Sequence, residues 1–340
     1  MTTPDERNYR LSPEESQRIF REDIRPDLFG GRQPQDRPTA VILLGQPGAG
    51  KTRLAEMIAR NLDQRGGFAD IDTDLYKPYH PAYAELMAKD DRLMTLHIGP
   101  EGREWMRQAQ DYVRTARINA LVQDIANDPA TSAQTVRDYR AAGFQVEVVA
   151  MAVHKSLSDQ GILNRYHEQV RDRGQGRLTQ PEKAAAAYVG MVEYAGIIDR
   201  ERMADAVAVY RRGEAEPRYS NRLSQDGNWT HEARFGQSLT EAREQPLSAA
   251  ETRDFLRVQD KLTAEMPSEF REQLTAVHRD VASLLHAETV ELHDMMGRVS
   301  KAFPHSAGKA TERPQDLSTR NVHEADRAVP RPAPEQGSER

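Results

Sequence analysis

Cysteine is absent from the 340 residues of the chain. Its absence excludes disulfide bonds, thiolate metal sites and a cysteine nucleophile, and it suits the reducing interior of a cell. The sequence also lacks any apolar run near the roughly 20 residues that cross a bilayer. The opening residues, MTTPDERNYR, lack the basic start and apolar stretch of a secretory signal. We therefore expect a cytoplasmic protein with no membrane partner.

An excess of basic charge is missing as well, because the formal net charge is −6. A negative balance provides no long-range attraction for a phosphate backbone, so we expect no nucleic-acid partner. The same balance disfavours a polynucleotide kinase. Basic residues do cluster locally at Arg171, Arg173 and Arg177, on a scale that suits small phosphates.

What is present is an alternation of strand and helix patterns up to about residue 212. The predicted strands cover residues 39–44, 68–72, 118–123, 144–153 and 206–210, the last being the final strand. The predicted helices cover residues 12–24, 51–64, 81–90, 101–117, 129–142, 155–172 and 180–198. This alternation predicts an α/β fold with a mainly parallel sheet flanked by helices.

The remainder of the chain predicts a helical C-terminal extension. Residues 213–247 are polar and are expected to be irregular, whereas residues 248–302 show helical spacing in two segments. From residue 305 the chain is charged and rich in proline, which predicts disorder. We therefore divide the chain into an N-terminal helix and connector (1–37), an α/β domain (38–212), the extension (213–304) and a tail (305–340).

A phosphate-binding loop follows the first strand. The sequence GQPGAGKT matches G-x-x-x-x-G-K-[ST] at every fixed position and stands between an apolar strand and an amphipathic helix, as in P-loop kinases. Backbone N–H groups of such a loop wrap a chain of phosphates at the positive end of a helix. The nucleotide-binding candidates are Gly45, Gln46, Pro47, Gly48, Ala49, Gly50, Lys51 and Thr52. Lys51 would reach the β- and γ-phosphates of ATP and the Thr52 hydroxyl would ligate Mg²⁺.

Two acidic residues, Asp72 and Asp74, stand at the end of the second predicted strand. Alternate residues of a strand point to one face, so both carboxylates are expected at the same site. A carboxylate can accept the proton of an attacking hydroxyl group during phosphoryl transfer. The same pattern also fits aspartates that cap a helix, and spacing alone does not separate the two interpretations.

Together, the phosphate loop and the segment DTDLYKPYHP (72–81) resemble the zeta toxin family. Members of that family are P-loop kinases of bacterial toxin–antitoxin systems that phosphorylate the 3′-hydroxyl of UDP-N-acetylglucosamine. The resemblance implies that Asp74 is the catalytic base. It also implies that Asp72, Lys77 and His80 shape the side of the site that binds the sugar nucleotide.

The resemblance continues to about residue 212. The segments AAGFQVEVVAMAV (141–153), NRYHEQV (164–170) and GQGRLTQ (174–180) are similar to successive segments of the family. The resemblance implies that Arg165 and Arg177 contact the ATP phosphates, where a guanidinium group stabilises the charge of the transferred phosphoryl group.

The acceptor side of the sequence departs from the family. Where the family has E-G-T-x-R after its third strand, this chain has QDIAN (123–127), which removes a carboxylate, a hydroxyl and a guanidinium group. An acidic His-Asp pair of the family is likewise replaced by KAAAAY (183–188). The nucleotide half therefore matches the family more closely than the acceptor half.

Two hypotheses remain open. In the first, the chain is a kinase acting on UDP-N-acetylglucosamine or a related sugar nucleotide, the toxin of a toxin–antitoxin system, whose partner would be a small helical antitoxin. In the second, it is a catalytically weak or retargeted nucleotide-binding module that acts through a protein partner, as the QDIAN departure favours.

Overall fold

The computed structural model of the chain describes residues 9–89 and 94–302. The chain divides into two units, Met1–Glu291 and Leu292–Arg340. The second unit is described only as far as residue 302, where its residues are helical. The sheet and the candidate site belong to the first unit.

Six strands form one sheet in the order β2-β3-β1-β4-β5-β6. The strands are Thr39–Leu44 (β1), Ala69–Ile71 (β2), Ala120–Asp124 (β3), Gln145–Ala152 (β4), Ala206–Arg211 (β5) and Tyr219–Arg222 (β6). The first five are parallel to one another, and β6 is antiparallel to β5. Parallel strands end at the same edge of a sheet, so the segments that follow β1, β2 and β3 lie side by side.

The central strand β1 joins the two hydrophobic layers of the fold. All six of its residues are buried. Ile42 and Leu44 belong to the larger core on one face, and Val41 and Leu43 belong to a second core on the other. A strand covered on both faces reads as a continuous apolar run, which is why TAVILL shows no alternation.

Helices cover both faces of the sheet and form the C-terminal part. They are Pro13–Ile19 (α1), Arg25–Phe29 (α2), Thr52–Gln64 (α3), Thr73–Tyr76 (α4), Tyr83–Lys89 (α5), Met94–Ala116 (α6), Pro129–Ala141 (α7), Lys155–Arg173 (α8), Pro181–Glu201 (α9), Phe235–Glu244 (α10), Ala249–Glu265 (α11), Arg271–Val281 (α12) and Ala287–Ala302 (α13). Short turns of other helix types cover Phe20–Ile24, Lys77–Tyr79, Ser268–Phe270 and Ala282–Leu284.

Local signals fix several helix ends. Ser12 and Asp128 accept hydrogen bonds from N–H groups in the first turns of α1 and α7, and each is followed by a proline. Ser248 and Glu251 form a reciprocal capping box at the start of α11. At the C-terminal end of α8, Gly174 adopts φ 75° and ends the helix.

The α/β fold class, with a mainly parallel sheet, flanking helices and a helical C-terminal part, is confirmed. Two expectations are wrong. The strand β5 is not the final strand, because β6 pairs with it in antiparallel register from Val209↔Tyr219 to Ala206↔Arg222. Residues 213–247 are also not irregular throughout, because they contain β6 and α10.

The polar character of β6 explains why its sequence, YSNR, gave no strand signal. This edge strand relies on the side chain of Asn221, which donates hydrogen bonds to the Tyr219 hydroxyl and to the His231 carbonyl, both at 3.0 Å. Such contacts carry no apolar periodicity. Helix α10 instead buries Phe235 and Leu239 completely, in the larger core.

Two helices of the extension, α11 and α12, pack on α8. Leu262 of α11 and Leu274 of α12 share a core with Leu163 and Tyr166 of α8. In the part of the chain that the structure describes, no helix combines the length and the apolar character needed to span a membrane. The predicted tail, 305–340, lies outside the described residues, and the division of the chain at residues 37, 212 and 304 stays a prediction.

Candidate active site

The phosphate loop connects β1 to α3 at the carboxyl edge of the sheet. Gly48 and Gly50 adopt φ angles of 78° and 77°, a conformation that other residues rarely take. A Cβ atom on Gly48 would lie 2.0 Å from the Ser158 carbonyl oxygen, so the backbones of the loop and of α8 touch. The loop is therefore closed on its outer side by α8 and can be built only with glycine at this position.

Lys51 immediately precedes α3 and turns back over the loop. Its Nζ donates a hydrogen bond to the Gly45 carbonyl oxygen at 2.6 Å. Burial lowers the pKa of Lys51, and the negative charge of Asp72 opposes that shift. The charges of Arg165 and Asp74 also shift the pKa of Lys51. Lys51 therefore interacts electrostatically with three further predicted site residues, Asp72, Asp74 and Arg165.

The acidic pair is arranged differently from the prediction. Because β2 ends at Ile71, Asp72 and Asp74 are not alternate residues of a strand. Asp72 is the N-cap of α4, and its Oδ1 accepts a hydrogen bond from the Asp74 backbone N–H at 2.9 Å. Burial raises the pKa of Asp72, and the charge of Asp74 raises it further. The helix-capping interpretation is correct for Asp72, and the charges of both aspartates still act on Lys51 of the loop.

Asp74 forms two ion pairs. Its Oδ1 accepts a hydrogen bond from Lys77 Nζ at 2.8 Å, and its Oδ2 accepts one from an Arg177 Nη at 2.7 Å. Burial alone would raise the pKa of Asp74, but Arg177 and Lys77 outweigh it and hold that pKa well below its usual range. Asp74 is therefore a carboxylate at neutral pH, with each oxygen engaged by a cation.

Arg165 and Arg177 bring two guanidinium groups to the same place. Arg165 lies on α8 and donates a hydrogen bond to the Thr179 hydroxyl at 3.0 Å. Its Nε is buried and has no hydrogen-bond partner within the described residues. Burial and the neighbouring charge of Arg177 lower the pKa of Arg165. With Lys51 nearby, this cluster of cations attracts an anion.

His80 occupies a different environment from these charged residues. Its exposed fraction is 3%. The two ring nitrogens contact the chain itself: Nε2 lies 3.0 Å from the Tyr9 carbonyl oxygen, and Nδ1 accepts a hydrogen bond from the Ala82 N–H at 3.1 Å. These contacts tie the N-terminal segment to the turn after α4. Contact of His80 with a substrate stays a prediction.

A further arginine lies at the site and was missed in the sequence analysis. Arg212 directly follows β5, and its guanidinium donates hydrogen bonds to the carbonyl oxygens of Ala49, at 2.9 Å, and Gly48, at 2.6 Å. By holding these carbonyls on the outside of the loop, Arg212 favours inward N–H groups. A basic residue at the carboxyl end of a strand in this sheet was the one clue available.

Gln46 links the loop to the surrounding elements. Its Nε2 donates hydrogen bonds to the Val153 carbonyl oxygen at 2.7 Å and to the Ser158 hydroxyl at 2.8 Å. Its Oε1 accepts a hydrogen bond from Arg243 of α10 at 3.3 Å. Gln46 occupies a variable position of the motif, yet both the nitrogen and the oxygen of its side-chain amide form hydrogen bonds.

The edge after β3 differs from the charged cluster. Asp124 Oδ1 accepts a hydrogen bond from the Ala126 N–H at 2.8 Å, and Ala126 adopts φ 50°. Gly190 of α9 lies under this turn, since a Cβ there would be 2.0 Å from the Ala126 carbonyl oxygen. Asn127 is exposed. The turn is therefore held by the backbone and by α9.

The residues present fit a bound nucleoside triphosphate with magnesium. The loop forms a cradle, Lys51 lies over it, and the orphaned Nε of Arg165 is a buried donor suited to a phosphate oxygen. Thr52 is exposed at the start of α3. No group of three acidic or histidine residues that could hold a metal ion exists within residues 9–89 and 94–302. Magnesium is commonly held by few protein oxygens together with phosphates, which matches Thr52.

Comparison of the sequence with known proteins shows which proteins the chain resembles. The family model described as "Zeta toxin" matches residues 27–224. Toxin zeta of Streptococcus pyogenes and toxin zeta of Enterococcus hirae are each 27% identical over 158 residues, which are 46% of this chain and 54% of the relative. The chain thus spans about half the length of the curated relatives that it matches.

A solved structure supports the fold. The structure from the characterisation of the PezAT chromosomal toxin–antitoxin system of Streptococcus pneumoniae matches with a TM-score of 0.62 and 18% identity. The match covers 75% of this chain and 97% of that one. Because the family model covers more than half of the residues and the phosphate loop stands where such a fold needs it, the chain belongs to the zeta toxin family.

Proposed function

We propose that the chain is an ATP-dependent phosphotransferase that moves the γ-phosphoryl group of ATP to a hydroxyl group of UDP-N-acetylglucosamine or a related sugar nucleotide. Membership of the zeta toxin family supports this reaction class. The relatives are toxins by description, which supports a role as the toxin of a bacterial toxin–antitoxin system.

One observation carries the proposal: the ion pair between Asp74 and Arg177, in which the charge of Asp74 also acts on Lys51 of the phosphate loop. A phosphotransferase needs a carboxylate for the acceptor hydroxyl and a cation for the transferred group at nearly the same point. Residues 103 positions apart in the sequence meet here at 2.7 Å. A loop that only bound phosphate would not require that pairing.

The proposed roles follow the contacts. When bound, ATP supplies the γ-phosphoryl group and Mg²⁺ offsets its negative charge. The backbone N–H groups of Gly48 and Gly50 and the ammonium of Lys51 would hold the phosphates, and the Thr52 hydroxyl would serve the metal. Arg165, with its unpartnered Nε, binds a phosphate oxygen.

Asp74 is the proposed base. It accepts the proton of the acceptor hydroxyl at its Oδ2, the atom that Arg177 contacts. Arg177 then serves the phosphoryl group, while Lys77 keeps the other oxygen of Asp74 oriented. Asp72 and Lys77 are the proposed contacts to the acceptor.

A phosphorylation assay tests this function. The chain is incubated with γ-labelled ATP and a panel of sugar nucleotides that includes UDP-N-acetylglucosamine, and the products are analysed by mass spectrometry. We expect a singly phosphorylated sugar nucleotide. Lys51→Ala should lose ATP binding, whereas Asp74→Asn should keep ATP binding and lose turnover.

Exposed residues provide the matched controls. Arg60→Ala removes a cation from the exposed side of α3, and Asp226→Asn neutralises an exposed loop carboxylate; neither should change turnover. Wild-type turnover in Asp74→Asn would refute the role of Asp74. If the chain binds ATP but phosphorylates no member of the panel, the result favours the second hypothesis.

That second hypothesis is a catalytically weak or retargeted nucleotide-binding module that acts through a protein partner. The edge after β3 favours it, because QDIAN lacks the carboxylate, hydroxyl and guanidinium groups of the family pattern. Each missing hydrogen bond to a charged group removes about 1.5–3 kcal/mol of ligand binding. Capture of a protein by the ATP-bound chain, without turnover, would support it.

The proposed toxin has a small helical antitoxin as its partner. We expect expression of the intact chain to arrest or lyse bacteria, and expression of Lys51→Ala to be tolerated. Co-expression of a short neighbouring reading frame should relieve the effect. Equal toxicity of the intact chain and Lys51→Ala would show that toxicity does not depend on the nucleotide.

A further inference from the structure

Arg243 of α10 is a buried arginine that has no acidic partner among residues 9–89 and 94–302. Its exposed fraction is 3%. Within the described residues its guanidinium contacts the Tyr188 carbonyl oxygen at 2.8 Å, the Met191 sulfur at 3.2 Å and Gln46 Oε1 at 3.3 Å. It also lies 4.0 Å from the centre of the Tyr188 ring. None of these groups carries a negative charge.

Such a group is unfavourable for stability. A buried cation without a counter-ion loses its hydration, and burial lowers the pKa of Arg243 to about 10. Its Nε is also buried and finds no hydrogen-bond partner in the part of the chain that the structure describes. Replacement of buried charges by apolar side chains of similar size is often neutral or stabilising. The contacts with Tyr188 and Met191 join α10 to α9, but neither requires a full charge at this position.

The contact with Gln46 provides a reason. The amide of Gln46 donates to the Val153 carbonyl and the Ser158 hydroxyl, which fixes the first part of the phosphate loop against the end of β4 and the start of α8. Its oxygen points the other way, to Arg243. A charged donor at this oxygen holds the amide in one orientation, with the NH₂ group toward β4 and α8.

We infer that Arg243 is a positioning residue of the nucleotide site, which fixes the phosphate loop through Gln46. Resting on the proposed ATP binding, this inference extends the site beyond residue 224, where the family match ends. Helix α10 then contributes to phosphate binding without touching the phosphates. The two residues are 197 positions apart in the sequence.

The test measures the ATP dissociation constant of the full chain by calorimetry, together with its thermal midpoint. The variants are Arg243→Met, Gln46→Ala and the double variant, and Arg234→Met, an ion-paired arginine just before α10, is the matched control. We expect Arg243→Met to bind ATP about tenfold more weakly, the loss of one hydrogen bond to a charged group. Its thermal midpoint should not fall, since a buried charge is removed.

Coupling separates positioning from general damage. If Arg243 acts through Gln46, the double variant should bind ATP no more weakly than Gln46→Ala. The inference would be overturned if the two single losses of ATP affinity multiplied in the double variant. It would also be overturned if a folded Arg243→Met bound ATP with wild-type affinity. The KM for ATP should rise more than kcat falls, because the phosphate contacts are lost in the ground state as well.

A conservative variant covers the case in which Arg243→Met does not fold. Arg243→Lys keeps the charge but cannot span Tyr188 and Gln46 with one planar group. A smaller loss of ATP affinity that disappears in the Gln46→Ala background supports the inference; an unchanged affinity overturns it. Failure of the wild-type chain to bind ATP would instead overturn the proposed function.

Discussion

Asp74, the proposed base, shows at the scale of one residue how the same two neighbours can keep a carboxylate ionised and also occupy its oxygens. Lys77 and Arg177 keep its carboxylate ionised, but they also engage both oxygens. A proton can be accepted at Oδ2 only when Arg177 turns to another anion. The phosphoryl group of the substrate is the anion that the reaction itself would bring.

This arrangement predicts a pH dependence for turnover. Because Arg177 lowers the pKa of Asp74, its removal in Arg177→Gln should raise that pKa. The carboxylate is then lost at a higher pH as the solution is acidified. The acid limb of the profile of kcat against pH should therefore move upward by about one pH unit, the size of shift that one nearby charge produces.

Arg171→Gln is the control for this profile, since Arg171 is an exposed arginine of α8 paired with Glu168 and Asp172. Its acid limb should coincide with that of the wild type. An unmoved limb in Arg177→Gln would mean that Asp74 does not govern the acid limb.

Asp70 predicts a separate effect, on stability. Burial and the charge of Asp72 raise the pKa of Asp70 from 3.8 to about 6. The folded state then binds this proton more tightly than the unfolded state, so stability falls as pH rises from about 4 to about 6. Asp70→Asn should remove that loss and raise the free energy of unfolding at pH 7 by about 1–3 kcal/mol.

Urea denaturation at pH 4 and pH 7 measures this effect. The gain should be present at pH 7 and small at pH 4, where the wild-type carboxyl is already protonated. Asp226→Asn, on an exposed loop, should give no gain at either pH. An equal gain at both pH values in Asp70→Asn would point to a cause other than ionisation.

At the scale of one element, α8 is the support of the phosphate loop. It contacts the loop through two glycines: a Cβ on Gly161 would lie 2.3 Å from the Gly48 carbonyl oxygen. The same helix presents Arg165 to the site and receives α11 and α12 on its other residues. A displacement of α8 would therefore disturb the loop and Arg165 together.

Two glycine substitutions in helices test this support. Gly161→Ala improves helix propensity but inserts a methyl group into the contact with Gly48, and we expect a loss of about 1–3 kcal/mol from overpacking. ATP affinity should fall with it. In α9, a Cβ on Gly196 meets only Arg200 Nη1, at 3.6 Å, so Gly196→Ala should gain about 0.5–1 kcal/mol.

Denaturation and ATP binding are measured for both variants. Equal stability changes in Gly161→Ala and Gly196→Ala would mean that the loop and α8 have room for a methyl group. A loss of stability in Gly161→Ala with unchanged ATP affinity would mean that the loop does not depend on the position of α8.

At the scale of the whole molecule, the family match and the folded unit have different limits. The match ends at residue 224, whereas the first unit continues to Glu291. The difference includes α10, which fills the larger core with Phe235 and Leu239, and α11, which packs on α8. Helix α10 is thus part of the same hydrophobic core as the sheet, whereas α11 packs with α8 in a separate core.

A truncation should reveal this dependence. A chain that ends at residue 224 would expose the surfaces that α10 and α11 cover, and we expect it to aggregate or to lose cooperative unfolding. A chain that ends at residue 302 keeps every described element and should keep the wild-type thermal midpoint. A stable, ATP-binding chain of 224 residues would show that the family-matched segment folds alone.

The sequence by itself determined the parts of this protein that depend on neighbouring residues. The strand TAVILL, the glycine-lined turn and α3 follow one another within residues 39–64, so local backbone preference and apolar spacing were sufficient to predict them. The alternation of such units also determined the fold class. Strand β6 escaped prediction because its support comes from polar contacts of Asn221.

Only the tertiary structure decided which side chains meet. The contacts of Arg177 with Asp74, of Arg212 with Gly48 and of Arg243 with Gln46 join residues more than 100 positions apart. Long side chains reach several places on a surface, and the packing of α8, β5 and α10 selects one of them. Spacing along the chain carries no record of that choice, which is why Arg212 and Arg243 became visible only in the folded molecule.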